Sequence, residues 1–107
     1  MTKITIFKKN NLICEYQIKG HSGYAESGSD IVCSGISTAS QMAVIGLKEV
    51  LGLDVQVDIN EAYLHVCVGD FENENAQTIL SAMEKTLFDI SKNYPKNVKM
   101  EVRTNVC

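Results

Sequence analysis

The side chains in this 107-residue chain best suited to covalent chemistry are Cys33 and His21, with Asp30 and Ser37 beside them. The run Ser29-Asp30-Ile31-Val32-Cys33-Ser34 reads as the start of a helix capped by Ser29 or Asp30, which puts Cys33 in the first turn. There the unbonded backbone N–H groups and the positive end of the helix dipole favour a thiolate, the nucleophilic form of cysteine. His21 lies twelve residues upstream, across a loop rich in glycine and serine. Its imidazole can take the thiol proton and later return it to a leaving amine. Backbone N–H groups around Cys33 would then serve as an oxyanion hole. Asp30 has two open roles: capping the helix, the commoner use of Asp there, or orienting His21 as the third member of a triad. Ser37 is one turn beyond Cys33 on the same helix face. It can hydrogen-bond near the reacting centre or back to its own helix.

The elements that must hold these residues are legible from periodicity. Residues 2–8 and 12–19 alternate apolar and polar and flank Lys9-Asn10-Asn11, a hairpin turn in which Asn accepts positive φ. In the second strand Leu12, Cys14, Tyr16 and Ile18 share one face, opposite Ile13, Glu15, Gln17 and Lys19, so Cys14 reads as core. Residues 20–30 form a loop by composition. Four of the seven glycines and six of the eight serines fall between Gly20 and Ser40. A helix is expected over residues 31–51, with Val32, Ile36, Ala39, Ala43, Gly46 and Val50 inward and Gly52 as C-cap. Residues 54–59 and 63–68 form a second hairpin, in which His65 and Cys67 point to the less buried side. A helix follows over residues 72–93, striped by Ala76, Ile79, Leu80, Met83, Leu87 and Ile90. Val98, Met100 and Val102 make a last strand. The order ββαββαβ gives an α+β two-layer sandwich: a mostly antiparallel sheet covered by two helices, with residues 1–107 as one domain.

Composition narrows the function classes. With 45% hydrophobic and 21% charged residues, the chain can build a core without a metal or disulfide staple, and disorder is excluded. The formal net charge of −3 argues against binding nucleic acid through phosphate contacts. No membrane partner is expected, since no apolar run reads as an uncharged span, and no signal peptide is visible. The four cysteines, Cys14, Cys33, Cys67 and Cys107, contain no Cys-x-x-Cys, and His65 brings no second ligand at metal spacing. Reduced thiols, a cytoplasmic setting, and no metal or other cofactor are therefore expected. Gly20-His21-Ser22-Gly23 is not the clamp of a KH-type RNA binder, because it follows a strand and lacks basic residues. A phosphate-binding loop fails too, for want of Gly-Lys-Ser/Thr.

Gly20-His21, Gly28, Asp30-Ile31-Val32-Cys33 and Ser37 together resemble the bacterial ribosomal-processing cysteine protease family, Prp. Ser22 stands where the family usually has alanine, and Gly35 lies in a stretch usually richer in alanine; both changes keep a small residue. The resemblance implies a homodimeric protease that removes a short N-terminal extension from the precursor of large-subunit ribosomal protein twenty-seven. It implies His21 as general base, Cys33 as nucleophile, and Asp30 and Ser37 in support. The glycine-rich loop, with Gly20, Ser22, Gly23, Gly28 and Ser29, would move aside to admit the peptide. Two other readings stand beside it: a non-catalytic ribosome-associated module of the same fold, and another thiol hydrolase such as a thioesterase or amidase.

Overall fold

In the computed structural model, residues 1–20 and 27–107 are described, with side chains described for 1–20 and 31–107. His21, Ser22 and Gly23 lie outside the described residues, as do the side chains of Ser29 and Asp30. The elements are β1 (Thr2–Lys9), β2 (Leu12–Lys19), α1 (Ser27–Ile45), β3 (Val55–Asn60), β4 (Tyr63–Val68), α2 (Glu74–Asn93) and β5 (Val98–Thr104). The expected order ββαββαβ is therefore present. The strands form one sheet in the order β3-β4-β2-β1-β5. Three of its neighbouring pairs are antiparallel, and β5 runs parallel to β1 at the edge. The turn between β1 and β2 is Asn10-Asn11, with φ of 53° and 65°, as a two-residue hairpin with two left-handed positions requires.

One face of the sheet carries the core. Ile4, Ile6, Tyr16, Leu64 and Val66 are buried there, against Val32, Ile36, Ala43 and Leu47 of the first helical segment and Ala76, Leu80, Met83 and Leu87 of α2. Each large aliphatic side chain taken fully out of water contributes about 1.5–3 kcal/mol. The two helices meet at small residues. A methyl group on Gly46 would stand 2.9 Å from Ile79 Cδ1, and one on Gly35 3.4 Å from Ile90 Cδ1. Gly35 therefore belongs to helix packing.

The structure corrects several expectations. Helix α1 starts at Ser27, inside the segment read as loop, because serine and aspartate suit a first turn as well as a cap. Its far end is a π-turn over Gly46–Val50, with Leu51 N–H donating to Gly46 O at 2.9 Å. The wider turn rotates the residues that follow, so Leu47 is fully buried while Val50, expected inside, is 74% exposed. Gly52 does take the left-handed conformation expected beyond the helix end, at φ 67°. Helix α2 begins two residues later than expected, where Asn73 Oδ1 accepts from Ala76 N–H as an N-cap. A bulge opposite Phe7 and Lys8 breaks the alternation of β2, and Ile13, expected outward, is buried. Residues 31–50 also have the length and apolar composition to cross a membrane, which the sequence reading passed over; here Val32, Ile36, Ala43 and Leu47 face the core.

The expectation of four reduced thiols is corrected as well. Cys14 is buried as expected, but it is joined to Cys107, with Cα atoms 6.3 Å apart. The register of β5 on β1 sets Thr104 beside Lys8, and Val106 N–H donates to Lys8 O at 3.3 Å. That path returns the tail to the bulge where Cys14 sits.

Candidate active site

Cys33 is half-buried and opens onto a cavity of about 230 Å³. One wall is α1, whose Cys33, Ser37 and Gln41 recur every four residues and so stand in one column along the helix. The floor is made by Thr2, Ile18 and Gly20 at the ends of β1 and β2. The facing wall is the tip of the β3–β4 hairpin, from Ile59 to Leu64. The structure thus brings Cys33, Ser37 and Gly20 together. Their relation to His21 and Asp30 lies outside the described residues.

Gly20 is a fixed post in this cleft. Its N–H donates to Ala62 O at 2.8 Å, tying the end of β2 to the hairpin. Its φ is +83°, and a Cβ there would stand 2.7 Å from the carbonyl oxygen of Met1. Both the left-handed backbone and the close approach require glycine at the position before His21.

Ser37 is held sideways. Its Oγ accepts from Gln41 Nε2 at 3.4 Å, whereas Ser40 Oγ bonds back to Ile36 O at 2.8 Å. Of the two roles open to Ser37, return to its own helix backbone is the one Ser40 takes. Behind this wall Tyr16 OH donates to Ser40 O at 2.9 Å, and burial pushes the phenol well above its ordinary pKa. That anchor crosses from the sheet to α1 one turn past Ser37.

Cys33 is the seventh residue of α1, not a first-turn residue. Its N–H falls beyond the four donors that a helix start leaves unbonded, and the dipole effect fades within the first turn. The expected oxyanion hole around Cys33 and the expected activation by the helix end are therefore both weakened. A reactive thiolate at this position would depend more heavily on a partner base.

Sequence reasoning missed three contributors to the cleft. Gln41 carried a signal, the four-residue spacing from Ser37. The β3–β4 tip carried none, because its approach to Cys33 depends on strand order. Thr2 was read only as a strand residue, yet its Oγ1 is buried at the cleft floor with no hydrogen-bond partner among the described residues.

The comparisons agree with this architecture. A family model described as "Cysteine protease Prp" matches residues 1–99. A protein named ribosomal processing cysteine protease Prp from Staphylococcus aureus (strain Mu50) is 34% identical over 87 residues, covering 78% of this chain and 81% of its own. Its namesake from Bacillus subtilis (strain 168) is 27% identical over 100 residues, covering 88% of each. Among solved structures, S. aureus Prp with a covalently linked product peptide superposes with a TM-score of 0.89 at 24% identity, covering 96% of this chain and all of that one. SMU.848 from Streptococcus mutans gives 0.84 at 24% identity, over 97% and 95% of the two chains.

Proposed function

The chain belongs to the cysteine protease Prp family, and on that premise we propose that it cleaves the precursor of large-subunit ribosomal protein twenty-seven, with Cys33 as nucleophile and His21 as general base. The curated relatives are named for ribosomal processing. The single observation that carries the residue assignment is the opening of Cys33 onto the cleft between α1 and the β3–β4 tip.

The sequence of events follows from the chemistry of the groups. His21 takes the Cys33 proton as sulfur attacks the scissile carbonyl carbon, forming a C–S bond and an oxyanion. The oxyanion collapses, the C–N bond breaks, and the imidazolium gives its proton to the departing amine. A thioester remains. Water, deprotonated by His21, then attacks the thioester carbon, and Cys33 leaves and regains its proton. Asp30 and Ser37 support this pair, the first by orienting His21, since a fourth residue of α1 stands inside the helix and not at its cap, the second from the column below Cys33. The segment that carries Ser22 and Gly23 admits the peptide, with Gly20 as its fixed end and Gly28 and Ser29 in the first turn of α1 beyond it. The active species is a homodimer in the cytoplasm.

The test incubates the purified protein with the extended ribosomal protein and reads the substrate mass. Loss of the N-terminal extension is expected, and an unchanged mass refutes the substrate assignment. Cys33→Ala should slow cleavage by on the order of 10⁴-fold or more, and His21→Ala by about 10²–10⁴-fold. Iodoacetamide near neutral pH should label Cys33 faster than Cys67, whose pKa is raised by burial first and then by Glu15 and Asp58. Equal labelling rates would contradict an activated Cys33.

A further inference from the structure

The sheet face that the core helices leave uncovered carries a second cluster of reactive side chains. In the pairing of β2 with β4, Glu15 stands opposite Cys67 and Gln17 opposite His65. In the pairing of β3 with β4, Asp58 stands opposite His65. Residues directly opposite share a face, and so do residues two apart on one strand. Glu15, His65 and Cys67 therefore converge from two strands, with Asp58 flanking them from a third. The His65 Nε2 and Glu15 Oε2 atoms are in hydrogen-bond contact, and Cys67 Sγ is 3.8 Å from the same Nε2. One ligand atom from each of the three lies within 4.8 Å of the others.

We infer that Glu15, His65 and Cys67 form a binding site for a borderline-soft divalent cation of the zinc type, separate from the Cys33 cleft. The spacing suits such an ion. With Zn–S near 2.3 Å and Zn–N near 2.0–2.1 Å, a tetrahedral centre sets sulfur and nitrogen about 3.6 Å apart. The cation would take the place of the His65–Glu15 hydrogen bond, and the pair has to open by about an ångström to reach the N–O spacing of a tetrahedral site. The charges balance: carboxylate plus thiolate supply two negative charges, and the imidazole stays neutral.

The His65 and Glu15 side chains are 24% and 25% exposed, so an ion can reach them from solvent while part of their hydration is already gone. Asp58 or a water can take the fourth position. The carboxylate, imidazole and thiolate are the donor set that zinc accepts, and the thiolate selects against magnesium and calcium.

The test uses the full chain carrying Cys33→Ala, with the Cys14–Cys107 bridge intact, so that Cys67 is the one remaining thiol. Zinc alone, titrated against a chromophoric chelator, should bind once per chain and raise the thermal midpoint by several degrees. Cobalt(II) alone should produce a thiolate charge-transfer band in the near ultraviolet. Cys67→Ser should abolish that band, and His65→Gln and Glu15→Gln should each weaken zinc binding tenfold or more. Circular dichroism reports whether each variant is folded. The inference is overturned if the folded Cys33→Ala protein binds no zinc, if cobalt binds without the band, or if zinc binds equally well after the ligand substitutions. With Cys33 restored, Glu15→Gln should still cleave substrate, which separates this site from the reaction at the cleft.

Discussion

At the scale of single residues, Tyr16 and Thr2 show how polar groups are handled beneath the cleft. Tyr16 is fully buried, and its hydroxyl reaches a carbonyl of the helix that bears Cys33. Tyr16→Phe should cost about 1 kcal/mol near neutral pH, read from urea midpoints. The folded protein holds the phenol proton more tightly than the unfolded chain, whose tyrosine ionises near pH 10. The advantage is complete below that pH and fades as pH rises above it, so the gap between the two proteins should narrow in alkali. Thr2 is the opposite case. Its buried Oγ1 has no partner among the described residues, a burden of about 1–3 kcal/mol. Thr2→Val should therefore raise the urea midpoint of the free enzyme. If peptide supplies the missing partner, the same change should raise KM with kcat little altered; an unchanged KM would leave Thr2 a purely structural residue. Cys33 and His21 were singled out by residue type and local spacing. Thr2 was not, because an alternating strand pattern does not reveal which hydroxyl will end in a cleft.

At the scale of elements, the bulge in β2 and the start of α1 departed most from the sequence pattern. The bulge exposes the backbone of Ile13, and Gln77 on α2 satisfies both of its groups. Gln77 Oε1 accepts from Ile13 N–H at 2.9 Å, and Nε2 donates to Ile13 O at 2.7 Å. The same Nε2 reaches Phe71 O at 2.6 Å. Gln77→Ala would strand these part-buried groups together and should cost about 2–3 kcal/mol, with a fall in urea midpoint as the measure. Nothing local in the sequence marks Gln77, since its partner is 64 positions away. The α2 stripe was fully legible, by contrast, because a 3.6-residue period is written along the chain itself. The start of α1 was not. Serine, glycine and aspartate suit a loop, a cap or a first turn, so composition left several starting points nearly equivalent.

At the scale of the whole molecule, Gly20 joins three distant segments: the end of β2, the carbonyl of Met1 and the β3–β4 tip at Ala62. Gly20→Ala would force a Cβ against backbone at a left-handed position and should cost about 1–3 kcal/mol. Loss of cleavage should accompany it even at temperatures where the variant remains folded, because the cleft floor moves; activity matched to wild type would refute that coupling. The sequence by itself determined the order of elements, the helical core stripes, the first hairpin turn and the motif around His21 and Cys33. All of these are encoded in neighbours along the chain, through periodicity, turn residues and spacing. Tertiary structure alone decided that β5 joins β1 in parallel and that the β3–β4 tip faces Cys33. It also brought Cys107 back to Cys14 and gathered Glu15, His65 and Cys67 on one face. Each of these depends on strand order and register, which are set by contacts between segments far apart in sequence. A residue's own neighbours carry no record of them.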